Sequence, residues 1–322
     1  MIALLLAALL AGGTAAKPAP ATKPAAKPVT AATAGKPAQS AASPAAAPTG
    51  QALPGKPVKM EGRDAVDASV PDKYRAEVAS AQVQGALLQQ EDFAVWVASN
   101  ALVHSKLKAP GTATGWLALP LDALARKWKV SFTATQPPRL FSYADVEVDL
   151  TAPPPKVKFS PHGTGRELTA DELALVKARD AVSANRQWLR CSDEYNYSAS
   201  LREGKKGRET VIRALPARHD GKLYLLGGFH EFVTPIKGGK SKHFQQTNTC
   251  LELPLPKNGV GFMVSHVRSK TPTLFHVFAS LSYERPVYVK TDSRTWMVQN
   301  GRVTVVDKNS VKSIKTQEPG AK

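Results

Sequence analysis

The chain has 322 residues, with 43 Lys and Arg against 26 Asp and Glu, for a net charge of +17. This length suits one large domain or two modest ones. The charge favours anionic partners such as phosphate-bearing envelope polymers, acidic lipids or nucleic acid, although solubility alone is a second explanation. Two cysteines are too few for a thiolate metal site unless further ligands stand at the right spacing, and none does.

Residues 2–13 are an unbroken run of apolar and small side chains, followed by Thr14, Ala15 and Ala16. Such a run is too short to span a bilayer but fits the apolar stretch of a signal peptide cleaved after Ala16. The stretch before it carries no Lys or Arg, which leaves the terminal amine as its only positive charge. No cysteine follows, so no lipoprotein anchor is expected. No other stretch is apolar enough for a transmembrane helix. Residues 1–16 are therefore expected to be a signal peptide, and the mature protein periplasmic or secreted.

Residues 17–68 form a Lys-, Pro- and Ala-rich linker. Its segment 17–59 holds six lysines and no acid, and taking those from +17 leaves +11 for the rest. With almost no large apolar side chain it cannot offset its ordering entropy, so disorder is expected. A tether across the envelope and a dispensable leader both fit.

Residues 69–155 read as a small α+β subdomain. Tyr74, Val78, Ala81 and Leu88 fall at helical spacing, and Phe93, Val97 and Ala101 suggest a second helix. Runs around Trp116, at 128–132 and at 143–150 read as half-buried strands. Trp96, Trp116 and Trp128 fit a core or a stacking platform. The prolines at 153–155 mark the expected boundary.

Residues 156–307 read as a larger, mostly antiparallel sheet packed with two helices. Thr169 and Glu172 form a capping box, with Leu168 placed to staple onto Leu173. Leu173, Val176, Ala181, Ala184 and Trp188 then suggest a helix reaching about Arg190. Strands are expected at 195–201, 209–215, 222–226 and 229–233, with turns at 204–207, 220–221 and 238–239. Gly227 and Gly228 suggest a bulge or a close backbone approach. A strand at 260–267, a helix capped at Thr271-Pro272 and a meander through Asp292-Ser293 and Asn300-Gly301 complete the subdomain. Residues 308–322 read as a disordered basic tail. Cys191 and Cys250, behind a secretion signal, read as one disulfide. Closing that loop is worth roughly 4 kcal/mol by the chain-entropy argument.

The usual catalytic motifs are absent. There is no Gly-x-Ser-x-Gly elbow, and Gly239-Lys240-Ser241 lacks the first glycine of a phosphate loop. His230-Glu231 lacks the second histidine of a zinc-protease helix. A second reading of His230, His266, Arg268 and His276 places them together in a pocket, while the simpler one buries each histidine in the core with its ring nitrogens hydrogen-bonded.

The segments Arg190-Cys191, Tyr195-Asn196, 225–230, 248–251, Ser265-His266 and 271–278 resemble a family of secreted proteobacterial proteins of unknown function. That resemblance implies a location and a fold but no activity. The order of helix, Glu-Tyr strand, His-bearing strand, short helix and Pro-Val-Tyr-Val is also similar to metalloprotease-fold domains of the JAB/JAMM type. It implies Glu194 as general base and His266 as a zinc ligand. Arg268, Thr273 and His276 stand where the family has His, Ser and Asp, and zinc catalysis needs three good ligands.

The expectation is thus an α+β protein of the envelope, more a binding domain than an enzyme and without a cofactor. Its partner would be an anionic envelope component or another envelope protein, with nucleic acid not excluded. A zinc hydrolase built on Glu194, His266 and His276, and an assembly factor that binds through its sheet edges, are the alternatives.

Overall fold

The computed structural model describes residues 56–205, 207–217, 223–254 and 261–306. The signal peptide, most of the linker, the turn at 220–221 and the basic tail lie outside them. The described chain is α+β, with three helices, several sheets and one disulfide.

The central element is α1 (Asp72–Ser105), a single helix of 34 residues where two were expected. At 1.5 Å per residue it is about 50 Å long. Its amphipathic pattern changes part-way because its two halves face different partners. Tyr74, Val78 and Ala86 join one core, while Ala94, Val95 and Ala98 join another. The helix also buries Gln82, Gln89 and Gln90. Their amides donate to the carbonyls of Arg63, Ala65, Lys56 and Val58, so residues 56–66 lie against α1 as an ordered strap. That part of the expected linker is therefore folded. The strap's main chain finds donors in α1 that composition does not announce.

A four-stranded antiparallel meander packs on the C-terminal half of α1. It consists of β1 (Thr112–Pro120), β2 (Lys127–Gln136), β3 (Arg139–Asp149) and β4 (Lys156–Glu167). The prolines expected to mark a boundary form the β3–β4 turn, because β4 pairs with β3 beyond them. Trp128 is fully buried in this core and Trp116 is partly buried against it.

The helix α2 (Ala170–Ala184) begins with the expected capping box, Thr169 and Glu172 bonding each other's backbone N–H. It ends six residues before Arg190, and its buried face is Glu172, Leu175, Val176 and Arg179 rather than the apolar stripe expected. The two charged members are tied into the sheet. Arg179 donates to the carbonyls of Trp116 and Thr114. Glu172 accepts from Lys129 at 2.8 Å and Arg166 at 2.9 Å, and Arg166 also reaches Asp145 at 2.8 Å. Burial raises the Asp145 and Glu172 carboxyls, but hydrogen bonds led by Arg166 outweigh it and hold both below the usual range.

A second sheet holds β5 (Tyr195–Gly204), β6 (Gly207–Pro216), β8 (His230–Pro235) and β9 (Lys242–Gln245) in the order β5-β6-β8-β9. The short strands β7 (Leu223–Leu225) and β10 (Glu252–Pro254) pair with each other, so the chain leaves the second sheet after β6 and returns to it at β8.

The last sheet runs β11 (Phe262–Ser265), β12 (Val287–Lys290), β13 (Thr295–Gln299) and β14 (Arg302–Val306). The pair β11–β12 is parallel, joined by α3 (Leu274–Ser282), and the rest is an antiparallel meander. Asn300 and Gly301 both have positive φ, as a type I′ turn requires. α3 crosses α1 closely at Gly85, where a Cβ would lie 2.5 Å from Val277 Cβ.

Candidate functional site

The site gathers where the start of β8, the strand β9, the loop after it and the β11–α3 turn meet. Gly228 allows this. Its φ is +80°, and a Cβ there would lie 2.6 Å from Cys191 Cβ, so only glycine lets β8 begin against the disulfide. The close approach read from the sequence is present. Cys191 and Cys250 are bonded, with Cα atoms 5.2 Å apart.

Four of the seven histidines lie here as two pairs. His230 is fully buried. Its Nε2 donates to the Leu189 carbonyl at 2.8 Å, so Nδ1 is left to accept from His243 Nε2 at 3.0 Å. Burial, then His243 and Arg190, push its pKa down to about 4. His243 is lowered by burial and by Arg268.

The second pair is His266, just past the end of β11, and His276 on the first turn of α3. Their rings meet edge to face at 4.9 Å between centroids. The α3 cap is Thr273, two residues later than expected. Pro272 precedes the cap because the third helical residue, His276, supplies a capping partner: its Nδ1 accepts from the Thr273 N–H at 3.0 Å. That bond leaves the proton of the neutral ring on Nε2. Burial first and His266 second push the His276 pKa down to about 3, and burial followed by Arg268 lowers that of His266.

The loop after β9 connects the pairs. The Gln246 amide lies 3.3 Å from His276 Nε2, and Asn248 Oδ1 accepts from Arg268 at 2.6 Å. Two residues beyond Asn248 the disulfide pins this loop to the other side of the site. At the far end Arg190 lies 4.8 Å over the Trp188 ring and 4.7 Å from that of Tyr195.

The charges acting on the four rings are Arg190, Arg268 and the rings themselves; no carboxylate is among them. Arg190 Nη1 and His266 Nε2 are buried and have no hydrogen-bond partner among the described residues. The site is thus a strip of two arginines beside four histidine rings, on which no carboxylate among the described residues acts.

The structure therefore brings His230, His266, Arg268, Thr273 and His276 into one neighbourhood. Glu194 is exposed and engages through its backbone: its N–H donates to Ser192 Oγ and its carbonyl accepts from Ala217. Its carboxylate acts on neither His266 nor His276. Among the described residues no three His, Cys, Asp or Glu side chains gather as a metal site. The zinc arrangement implied by the JAB/JAMM resemblance thus lacks its ligand set there. Sequence reasoning overlooked His243, Gln246 and Asn248 as site residues. The disulfide was the usable signal, since pairing Cys191 with Cys250 draws Arg190 and Asn248 together.

Comparison with protein-family models, with curated proteins and with solved structures finds no match for this chain. No helix among the described residues is long and apolar enough to cross a membrane.

Proposed function

We propose that the chain is a non-catalytic binding domain of the bacterial envelope that holds an anionic partner along the strip from Arg190 to His276. The observation that carries this reading is that Arg190 and Arg268 act on the four histidines while no carboxylate among the described residues does. The overall charge of +17 would speed encounter with a polyanion. The disulfide is compatible with an oxidising compartment such as the periplasm.

Retention on immobilised polyphosphate tests the reading while keeping general basicity constant. Arg268→Gln and Lys158→Gln remove the same charge, from the strip and from the exposed strand β4 respectively. Arg268→Gln should elute at clearly lower salt than Lys158→Gln. Equal elution of the two variants, or retention indifferent to ionic strength, would overturn the reading.

A further inference from the structure

The turn between β11 and α3 combines several features of an oxoanion site. It leaves the carboxyl end of a strand in a parallel pair and enters the N-terminus of a nine-residue helix, where the backbone dipole favours negative charge. Its sequence, residues 266–273, holds Arg268, Lys270 and the hydroxyls of Ser269, Thr271 and Thr273, with no acid.

An independent observation comes from the side chains. His266 is 3% exposed and Thr271 is 1% exposed. His266 Nε2 and Thr271 Oγ1 are both buried with no hydrogen-bond partner among the described residues. Leaving a buried polar group unsatisfied costs about 1–3 kcal/mol, so two such groups on one turn call for a missing partner, which is an acceptor when His266 carries its proton on Nε2. His266 packs edge-on against His276, the third residue of α3, which places its ring beside the helix N-terminus. Between the two buried groups, Val267, Arg268 and Lys270 are exposed, and Arg268 is held by Asn248 at 2.6 Å.

We propose that this turn binds the phosphoryl group of a small soluble phosphate. His266 Nε2–H and Thr271 Oγ–H donate to its oxygens, and Arg268 and the α3 N-terminus balance its charge. A small ligand is specified because the two free donors are buried, out of reach of a membrane surface. The inference rests on the anion-binding reading and deepens it at one end of the strip.

Calorimetric titration of the full chain with inorganic phosphate, and separately with glycerol phosphate, at ionic strength matched by chloride, tests it. Saturable binding is expected for at least one of the two. The tighter of them identifies whether free phosphate or an ester is the source. Thr271→Val removes the hydroxyl at nearly constant volume, and His266→Phe keeps a ring but removes its N–H. Each should weaken binding about tenfold, the loss expected for one hydrogen bond to a charged group. Arg268→Gln, at an exposed position, should weaken it as well and guards against the buried variants failing to fold. Phosphate binding no stronger than chloride, or unchanged by Thr271→Val and Arg268→Gln, would overturn the inference. In that case the elution difference on polyphosphate between Arg268→Gln and Lys158→Gln still decides the broader reading on its own.

Discussion

Two polar clusters in this molecule handle charge in opposite ways. Beneath α2, Lys129 and Arg166 meet Asp145 and Glu172, and every one of the four has an opposite charge within 2.9 Å. Around β9 and the start of α3, Arg190 and Arg268 stand among four histidines, and no carboxylate among the described residues acts on those rings. The first cluster is closed in charge, since its cations and carboxylates are spent on one another in joining a helix to a sheet. The second leaves buried donors open. The two clusters thus differ in whether their charges are spent on one another.

The largest expected effect breaks the closed cluster. Glu172→Ala leaves Lys129 and Arg166 short of an acceptor and removes half of the capping box. It should cost about 4 kcal/mol in urea unfolding. Glu172→Gln keeps the cap and should cost less. A cost below about 1 kcal/mol for the alanine variant would show that the closed cluster does not hold α2 to the sheet.

Next comes a buried acid that belongs to neither cluster. Glu91 on α1 is desolvated, which pushes its carboxyl up to about 8 even though Ser198 donates to it at 2.6 Å. Its folded value lies above the ordinary 4.5, so its contribution is complete below about pH 4.5 and is lost as pH rises through 8. Unfolding free energy should fall by about 3 kcal/mol between pH 5 and 8 on this account. Glu91→Gln should flatten that slope in a series of denaturant melts.

The smallest of the three effects sharpens the description of the open cluster, and its sign is reversed. His276 and His230 have folded values of about 3 and about 4, below the ordinary 6.5. Their contribution is present above about pH 6.5 and is lost as pH falls towards those values. Asp145 and Glu172, also held low, respond only below the ordinary carboxylate range, and Glu91 contributes alike to the wild type and a histidine variant, so the difference between the two proteins isolates the histidine. His276→Gln retains an acceptor for the Thr273 N–H and does not titrate. Relative to the wild type it should gain about 2 kcal/mol on going from pH 7 to pH 5. A parallel acid limb in both proteins would refute the neutral-ring assignment of His276.

Much of the architecture was legible from local pattern. The capping box at Thr169, the Asn300-Gly301 turn, the alternating strands of the first sheet and the Cys191–Cys250 pairing each rest on chemistry contained within a few residues or on two cysteines having only each other. The length of α1, the buried face of α2 and the strap at 56–66 were not legible. Each depends on polar side chains in the core: Gln82, Gln89 and Gln90 on α1, and Glu172 and Arg179 on α2. A periodicity argument assigns such residues to solvent. Similarly, β4 was missed because its exposed, Lys-bearing residues give no apolar face.

By itself, then, the sequence determined the α+β class, the disulfide, most strands and the basic balance, because propensity, capping and turn chemistry act over short distances. Only the tertiary structure decided which charges are balanced. It set Glu172 against Lys129 and Arg166, sent Glu194 to the surface, and drew His230, His243, His266 and His276 together across two sheets and a disulfide. Whether a donor finds an acceptor depends on distances between residues far apart in the chain, and those distances are fixed when the cores pack.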